Sequence, residues 1–396
     1  NGGYYRFDGL LADTYVVRIN PTNFAPGGPL AGYNSSTPTE ADPDTDVDSD
    51  DNGIDNAAPA TNGVLSGPVT LGPTANEPLN EGDLSPSGQG EPDAQANMTV
   101  DFGFYRLTVG NQLWVDANNN GVLDAGESGT PLSGVRVELY DGGTLVAVTT
   151  TDANGNYLFD GQTDSNGVPN GLGLTPSTNY TVHIPASEFA PGGPLETYTN
   201  STGATSGTDS QDNGVDVPDP ATTGISSAVF SLEPGNATGG ASVDNTTATT
   251  HNPTLDFGFY QPFSLGNRVW FDTNNDGQLN GTEVGVDGVS VSLFLDADGN
   301  GVPDSATALA STTTADGGYY RFDGLLADTY VVRIDPANFA PGGPLAGYNS
   351  STPTSATPND DTDSDDNGID SVAPATDGIL SGPVTLGPTA NEPLNE

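Results

Sequence analysis

Residues 134–160 read GVRVELYDGGTLVAVTTTDANGNYLFD, and their pattern decides the fold. Val135–Tyr140 and Leu145–Thr149 alternate apolar and polar side chains and are rich in β-branched residues, which is the period of a half-buried strand. Asp141-Gly142-Gly143 between them is a hairpin turn. Asp152-Ala-Asn154-Gly155-Asn156 is a second turn that delivers Tyr157–Phe159 as the next strand. Outward from this stretch the same reading gives strands at Leu113–Val115, Tyr180–Ile184, Ala228–Leu232 and Leu255–Tyr260. Clusters of Gly, Asn, Asp and Pro separate them at short spacing. The chain is therefore expected to be all-β, built as sandwiches or barrels.

Composition agrees. Of 396 residues, 53 are Gly and 32 Pro, which favours turns and disfavours long helices. The charge is extreme, with 53 acidic residues against seven basic, all Arg, for a net charge of −46. Nucleic acid requires a basic footprint, and an anionic membrane surface attracts one, so neither partner is expected. No apolar run approaches the roughly 20 residues of a membrane span. The absence of Cys removes disulfides, and the absence of Lys removes amine crosslinks.

The sequence repeats. Residues 2–39 recur at 317–354 with two changes, Asn20 to Asp335 and Thr22 to Ala337, and ANEPLNE occurs at 75–81 and 390–396. DFGFY occurs at 101–105 and 256–260, each followed by Gly-Asn-x-x-Trp, at 110–114 and 266–270. FAPGGPL begins at Phe24, Phe189 and Phe339. The order is the C-terminal part of one unit (1–105), a complete unit of a second type (106–262), and a unit of the first type lacking its C-terminal strand (263–396). Trp114 and Trp270 sit in alternating strands and are expected in the cores.

The acids fall at defined spacing. Asp116, Asn118, Asn120, Gly121, Val122, Asp124 and Glu127 occupy positions 1, 3, 5, 6, 7, 9 and 12 of a calcium loop. Asp272, Asn274, Asp276, Gly277, Gln278, Asn280 and Glu283 repeat the pattern. Calcium takes six to eight oxygens: alternate side chains of a tight loop supply them, position 7 gives its backbone carbonyl, and the final Glu closes the shell. Asp296, Asp298, Asn300, Val302 and Asp304 form a shorter candidate with Thr307 where the closing Glu should stand. A third run carries Asp48, Asp50, Asn52 and Asp55, then Asp209, Asn213 and Asp216, then Asp363, Asp365, Asn367 and Asp370. So many carboxylates in ten residues repel one another unless a cation offsets them. A solvated acidic turn or linker is the alternative for each.

These motifs, Gly-Asn-x-x-Trp-x-Asp-x-Asn, Gly-Val-x-Val-x-Leu, Tyr-x-Phe, Tyr-x-Val and a closing DFGFY, together resemble the B-type repeats of bacterial serine-aspartate repeat surface proteins, which are related to collagen-adhesin B domains. The resemblance implies tandem immunoglobulin-like (prealbumin-like) sandwiches with Ca2+ in the acidic loops, outside the cell or on its wall. Some relatives carry a Lys–Asn isopeptide bond, which a chain without Lys cannot form, so calcium would be the remaining staple. The units here also exceed the usual length after FAPGGPL.

The expected function is a structural segment of a secreted bacterial stalk or extracellular filament, with neighbouring copies of the repeat, up to a homopolymer, as partners. The alternative is an adhesin or carbohydrate-binding module with a host or matrix ligand, marked by exposed aromatics such as Tyr4, Tyr5, Tyr319 and Tyr320. His183 and His251 lie apart with no Ser-His-Asp arrangement in sequence, so an enzyme is not expected.

Overall fold

The computed structural model describes residues 3–38, 42–44, 50–73, 78, 90, 93–127, 132–161, 173–203, 210–232, 250–352, 358 and 364–387. They gather into two compact units. One comprises Asn1–Trp114, Gly121–Glu196 and Asn200–Gly258; the other comprises Val115–Asn120, Thr197–Thr199 and Phe259–Glu396.

In the first unit, Arg136–Asp141 pairs with Thr144–Thr150 on one side and with Asn179–Ile184 on the other, all antiparallel. Ile225–Ser226 and Phe230–Ser231 pair with the far edge of Asn179–Ile184. A second sheet sets Asn156–Phe159 antiparallel and His251–Asn252 parallel to Thr108–Val115, and Phe257–Tyr260 belongs to it. The buried side chains follow the pleat. Tyr180, Val182 and Ile184 alternate inward on one sheet, and Tyr157 and Phe159 on the other. Asp141-Gly-Gly and Asp152–Gly155 are the turns expected, with Gly142, Gly143 and Gly155 all at positive φ. The predicted strand Ala228–Leu232 shrinks to Phe230–Ser231. Residues 3–105 of this unit add short ladders, Arg18–Ile19 on Val64–Ser66 and Asn34–Ser35 on Phe104–Tyr105.

The second unit is a sandwich. Phe263–Arg268 pairs with Tyr319–Leu325. Facing them, Ser290–Leu295 is flanked by Ala310–Thr313 and Asp328–Ile334, with Ile379–Ser381 and Val384–Leu386 beyond. Leu265 and Phe322 from one sheet and Val291, Leu293 and Val332 from the other join in one core. The expected core tryptophans differ. Trp114 is fully buried, whereas Trp270 is half-buried and lines a groove of about 170 Å³.

One feature of all three repeats escapes a strand-only reading. Pro59–Asn62, Pro220–Thr223 and Pro374–Asp377 are single helical turns, each closed by a glycine: Gly63, Gly224 or Gly378. Those glycines have φ of 74°, 68° and 77°, and a Cβ on them would stand 2.3–2.4 Å from the carbonyl oxygens of Ile19, Ile184 and Ile334. Only glycine fits there.

Candidate functional site

The best-formed acidic loop follows the strand Ser290–Leu295. Asp296 is fully buried and turns its carboxylate back on the loop, where Oδ1 accepts the Asn300 N–H at 3.1 Å and Oδ2 the Gly301 N–H at 2.9 Å. Asp304 Oδ2 accepts the Ala297 N–H at 2.8 Å, and Asn300 Oδ1 accepts that of Val302 at 2.8 Å. Gly299 and Gly301 take the positive-φ turns that wrap the backbone. Asp296, Asp298 and Asp304 bring ligand oxygens within 4.8 Å of one another, the one such acidic group among the described residues. An all-oxygen donor set of this kind fits a hard divalent cation, above all calcium. Val302 lies in the loop at the position expected to offer its carbonyl.

The loop Asp272–Glu283 has the same local wiring. Asp272 accepts the N–H groups of Asn274, Asn275 and Gly277 at 3.2, 2.6 and 2.9 Å. Asn274 Oδ1 accepts from Asp276 N–H, and Asp276 Oδ1 from Gln278 N–H, both at 3.0 Å. Glu283 folds back over the loop, accepting the Thr273 N–H at 2.8 Å and the Asn280 N–H at 3.0 Å. The side-chain amide of Asn280 holds Asp276 below the usual carboxylate range. The residues at positions 1, 3, 5, 9 and 12 are thus joined in one hydrogen-bond net, with Asn280 as a donor to Asp276 and Glu283.

In the first unit, Gly121–Glu127 is pinned by Leu123 N–H to Ser210 O and Asp212 N–H to Gly121 O, both 2.9 Å, with Val122 bridged to Gln211. The buried Glu127 accepts the Asp124 N–H at 3.0 Å, as Glu283 does with Asn280. In the second unit, Asp116 is fully buried, and the Asn120 N–H is shared between Asp116 Oδ1 at 3.2 Å and Asn118 Oδ1 at 3.0 Å.

The third acidic run has another visible duty. Asp48, Asp209 and Asp363 lie outside the described residues. Asn52 and Asn213 each use the side-chain oxygen to accept the N–H of the DFGFY aspartate, Asp101 or Asp256, at 2.9 Å. Their own N–H groups donate to the carbonyls of those aspartates at 3.0 and 2.9 Å. Among the other candidates, Asp50 accepts from Asn52, Asp365 from Asn367, and Asp216 from Gly203 N–H. Partial desolvation raises the Asp55 carboxyl, and burial raises that of Asp366, to which the charge of Asp370 adds.

Sequence reasoning missed the aspartate between these candidates. Asp51, Asp212 and Asp366 each accept a serine hydroxyl, from Ser36, Ser201 and Ser351 at 2.5, 2.9 and 2.7 Å. Each also accepts the N–H of the following glycine at 2.9 Å. Burial pushes the Asp212 carboxyl up to about 7, against the lowering effect of these bonds and of the Gly258 N–H. The signal was present in the retained Asp-Asn-Gly order, which marks a position the backbone uses. Asn111, of the Gly-Asn-x-x-Trp motif, completes the clamp by donating to Asp256 Oδ2 at 3.1 Å and to Pro253 O.

Of the two histidines, His183 Nδ1 meets Ser226 Oγ at 2.8 Å, and His251 meets the Thr108 hydroxyl. The carboxylate nearest in charge to His183 is Glu138, which accepts from Arg136 Nε and Tyr140 OH, both at 2.7 Å.

A likeness to known proteins runs along the whole chain. It is 31% identical over 386 residues to serine-aspartate repeat-containing protein F of Staphylococcus epidermidis, covering 96% of this chain and 16% of that protein. It is 33% identical over 253 residues to serine-aspartate repeat-containing protein D of Staphylococcus aureus strain Newman, covering 62% of this chain and 15% of that protein. The chain therefore spans about a sixth of the length of these relatives. A streptococcal ancillary pilin matches 71% of this chain and 58% of its own at 14% identity, with a TM-score of 0.20 that carries no argument. The model of the SdrD B-like domain matches residues 107–191 and 263–380, both of which contain the Gly-Asn-x-x-Trp strand and the acidic loop after it. On that match the chain belongs to the SdrD B-like domain family.

Proposed function

We propose that this chain is a structural segment of a secreted bacterial surface stalk or extracellular filament, made of repeats 1–105, 106–262 and 263–396 and stiffened by calcium. The observation that carries the calcium is the loop at Asp296–Asp304. Three carboxylates converge there on a backbone already wrapped by their own hydrogen bonds. Close carboxylates cost repulsion, and a divalent ion turns that cost into attraction. The Asp272–Glu283 loop, with Glu283 folded over it, is the second calcium site of the same repeat. The same spacing recurs at Asp116, Asn118, Asn120, Val122, Asp124 and Glu127 in the second repeat.

Calcium takes the part that disulfides play in other secreted domains, since the chain has neither Cys nor Lys. A site at hundredfold excess over its dissociation constant adds about 2.7 kcal/mol, so two sites approach the net stability of a small domain. The partners are neighbouring copies of the repeat, and the place is outside the cell, on the wall or in a filament. No catalytic role is assigned: the carboxylates stand at metal-loop spacing in repeated units, an arrangement a single active site does not need.

The test is calorimetry and single-molecule contour length with calcium and with EDTA. Chelation should lower the melting temperature and shorten or soften the chain. Equal stability and equal length in both would remove calcium from the account.

A further inference from the structure

We propose that Asn280 is a self-modification site, whose carboxamide is converted to a carboxylate by attack of the Gly281 backbone nitrogen. The inference rests on a comparison of Asn-Gly pairs within one structure and does not depend on calcium.

An asparagine followed by glycine is open to ring closure, because no side chain shields the next backbone nitrogen. The Gly281 nitrogen forms a bond to Asn280 Cγ. The carboxamide nitrogen leaves as ammonia, carrying the proton that the glycine nitrogen gives up. Water then opens the cyclic imide at either carbonyl and leaves an aspartate or an isoaspartate. The sum exchanges one water for one ammonia and needs no oxidant or reductant. The glycine nitrogen must swing onto Cγ, so an acceptor that holds its N–H opposes the reaction.

The other Asn-Gly pairs among the described residues are held. Gly53, Gly214 and Gly368 donate their N–H groups to Asp51, Asp212 and Asp366, each at 2.9 Å. Gly301 donates to Asp296 at 2.9 Å, and Gly63 and Gly155 donate to the carbonyls of Pro59 and Asp152 at 2.8 and 3.1 Å. Gly121 is buried, with its carbonyl on the Asp212 N–H at 2.9 Å.

Asn280 stands apart. Asn280 and Gly281 are both exposed. The Gly281 N–H meets no acceptor among the described residues, and a Cβ on Gly281, at φ 60°, would meet nothing within 4 Å. Of the Asn280 carboxamide only the nitrogen is engaged, by Asp276 Oδ2 at 2.9 Å, and its oxygen meets no donor among the described residues. The Asn300 carboxamide, by contrast, is held at both ends, by the Val302 N–H and by Asp298, each at 2.8 Å.

The conversion changes the loop. The ninth position is aspartate in the other two loops, as Asp124 and Asp304, and asparagine here. The hydrogen bond from Asn280 to Asp276 gives way to two facing carboxylates, which repel one another unless a cation offsets them. With age this loop acquires the acidic ninth position of its counterparts.

The experiment ages the 396-residue protein in mildly alkaline buffer with EDTA and reads each Asn-Gly pair by peptide mass spectrometry. Asn280 should convert about fivefold or more faster than Asn154 and Asn300, the factor that one net hydrogen bond on the glycine N–H is worth. Its product should appear as separate aspartate and isoaspartate peptides. In denaturant, where no N–H is held, the three rates should converge. Asn280→Gln, whose attack must close a larger ring, should leave that position unconverted, and Asn280→Asp should reproduce the acidic shift of the aged protein on isoelectric focusing. Equal rates at Asn280, Asn154 and Asn300 in the folded protein would overturn the assignment, since the dipeptide alone would then govern. Faster conversion at Asn154 or Asn300 would overturn it as well.

Discussion

Asn213 and Asp256 bond to each other twice: the Asn213 carboxamide oxygen accepts the Asp256 N–H at 2.9 Å, and the Asn213 N–H donates to the Asp256 carbonyl at 2.9 Å. Asp256 is 1% exposed, so its N–H has no water to turn to. Asn213→Ala should therefore cost about 1–3 kcal/mol, the usual penalty for a buried donor left unsatisfied. The loss should be equal in calcium and in EDTA, because the bond is to backbone. Denaturant unfolding in both buffers checks this. A loss seen only with calcium present would make Asn213 a metal ligand, as its place in an acidic run suggests.

Gly258 gives a second, geometric prediction. Gly258→Ala places a methyl 2.4 Å from Ser201 Oγ and 3.0 Å from the Trp114 ring. Such overpacking should destabilise the protein by about 1–3 kcal/mol. Ser201→Ala removes the hydroxyl that obstructs the methyl, at the expense of its bond to Asp212. The double variant should then be more stable than the sum of the two losses allows, a coupling that a double-mutant cycle measures directly.

These two residues show where the sequence was legible. The strands around Asp141-Gly-Gly and Asp152–Gly155 could be read, because pleat and turn chemistry are local. Loop spacing at Asp116, Asp272 and Asp296 was readable for the same reason, since each loop's oxygens lie within twelve residues. The serine–aspartate clamps were not readable. Ser201 reaches Asp212 within eleven residues, but the clamp acquires its meaning only from Gly258, whose strand returns from far along the chain. Trp270 is half-buried where Trp114 is fully buried, a difference that alternation within a single strand does not show.

Removing one loop's first ligand should remove one ion. Asp296 is fully buried and holds the N–H groups of Asn300 and Gly301. Asp296→Ala should lower the calcium stoichiometry of the chain by one and abolish that site's share of calcium-dependent stability, about 2.7 kcal/mol at hundredfold excess. Asp298→Asn, on an exposed ligand, should weaken the site while leaving the calcium-free protein unchanged. Isothermal titration of the two variants separates ligand loss from loop collapse. Unchanged stoichiometry in both would leave this hairpin as a solvated turn.

The last prediction concerns pH. His183 is held below its ordinary value of about 6.5, chiefly by burial, against the opposing charge of Glu138. Its ring is edge-on to Tyr140, with Nδ1 on Ser226 Oγ. A Cβ on Gly224 would stand 2.6 Å from His183 Cε1, so the backbone closes over the ring. A depressed folded value means the unfolded chain takes up the proton first. The contribution of neutral His183 is complete above about pH 6.5 and is lost as pH falls through the lower folded value. Stability should decline as pH falls below about 6.5 for this reason, on top of any change from the carboxylates. His183→Gln, which cannot ionise, should flatten that part of the curve. The comparison is thermal melting of the two proteins at pH 7.5 and 5, in EDTA so that calcium release does not contribute. An equal drop in both would show that His183 does not govern it.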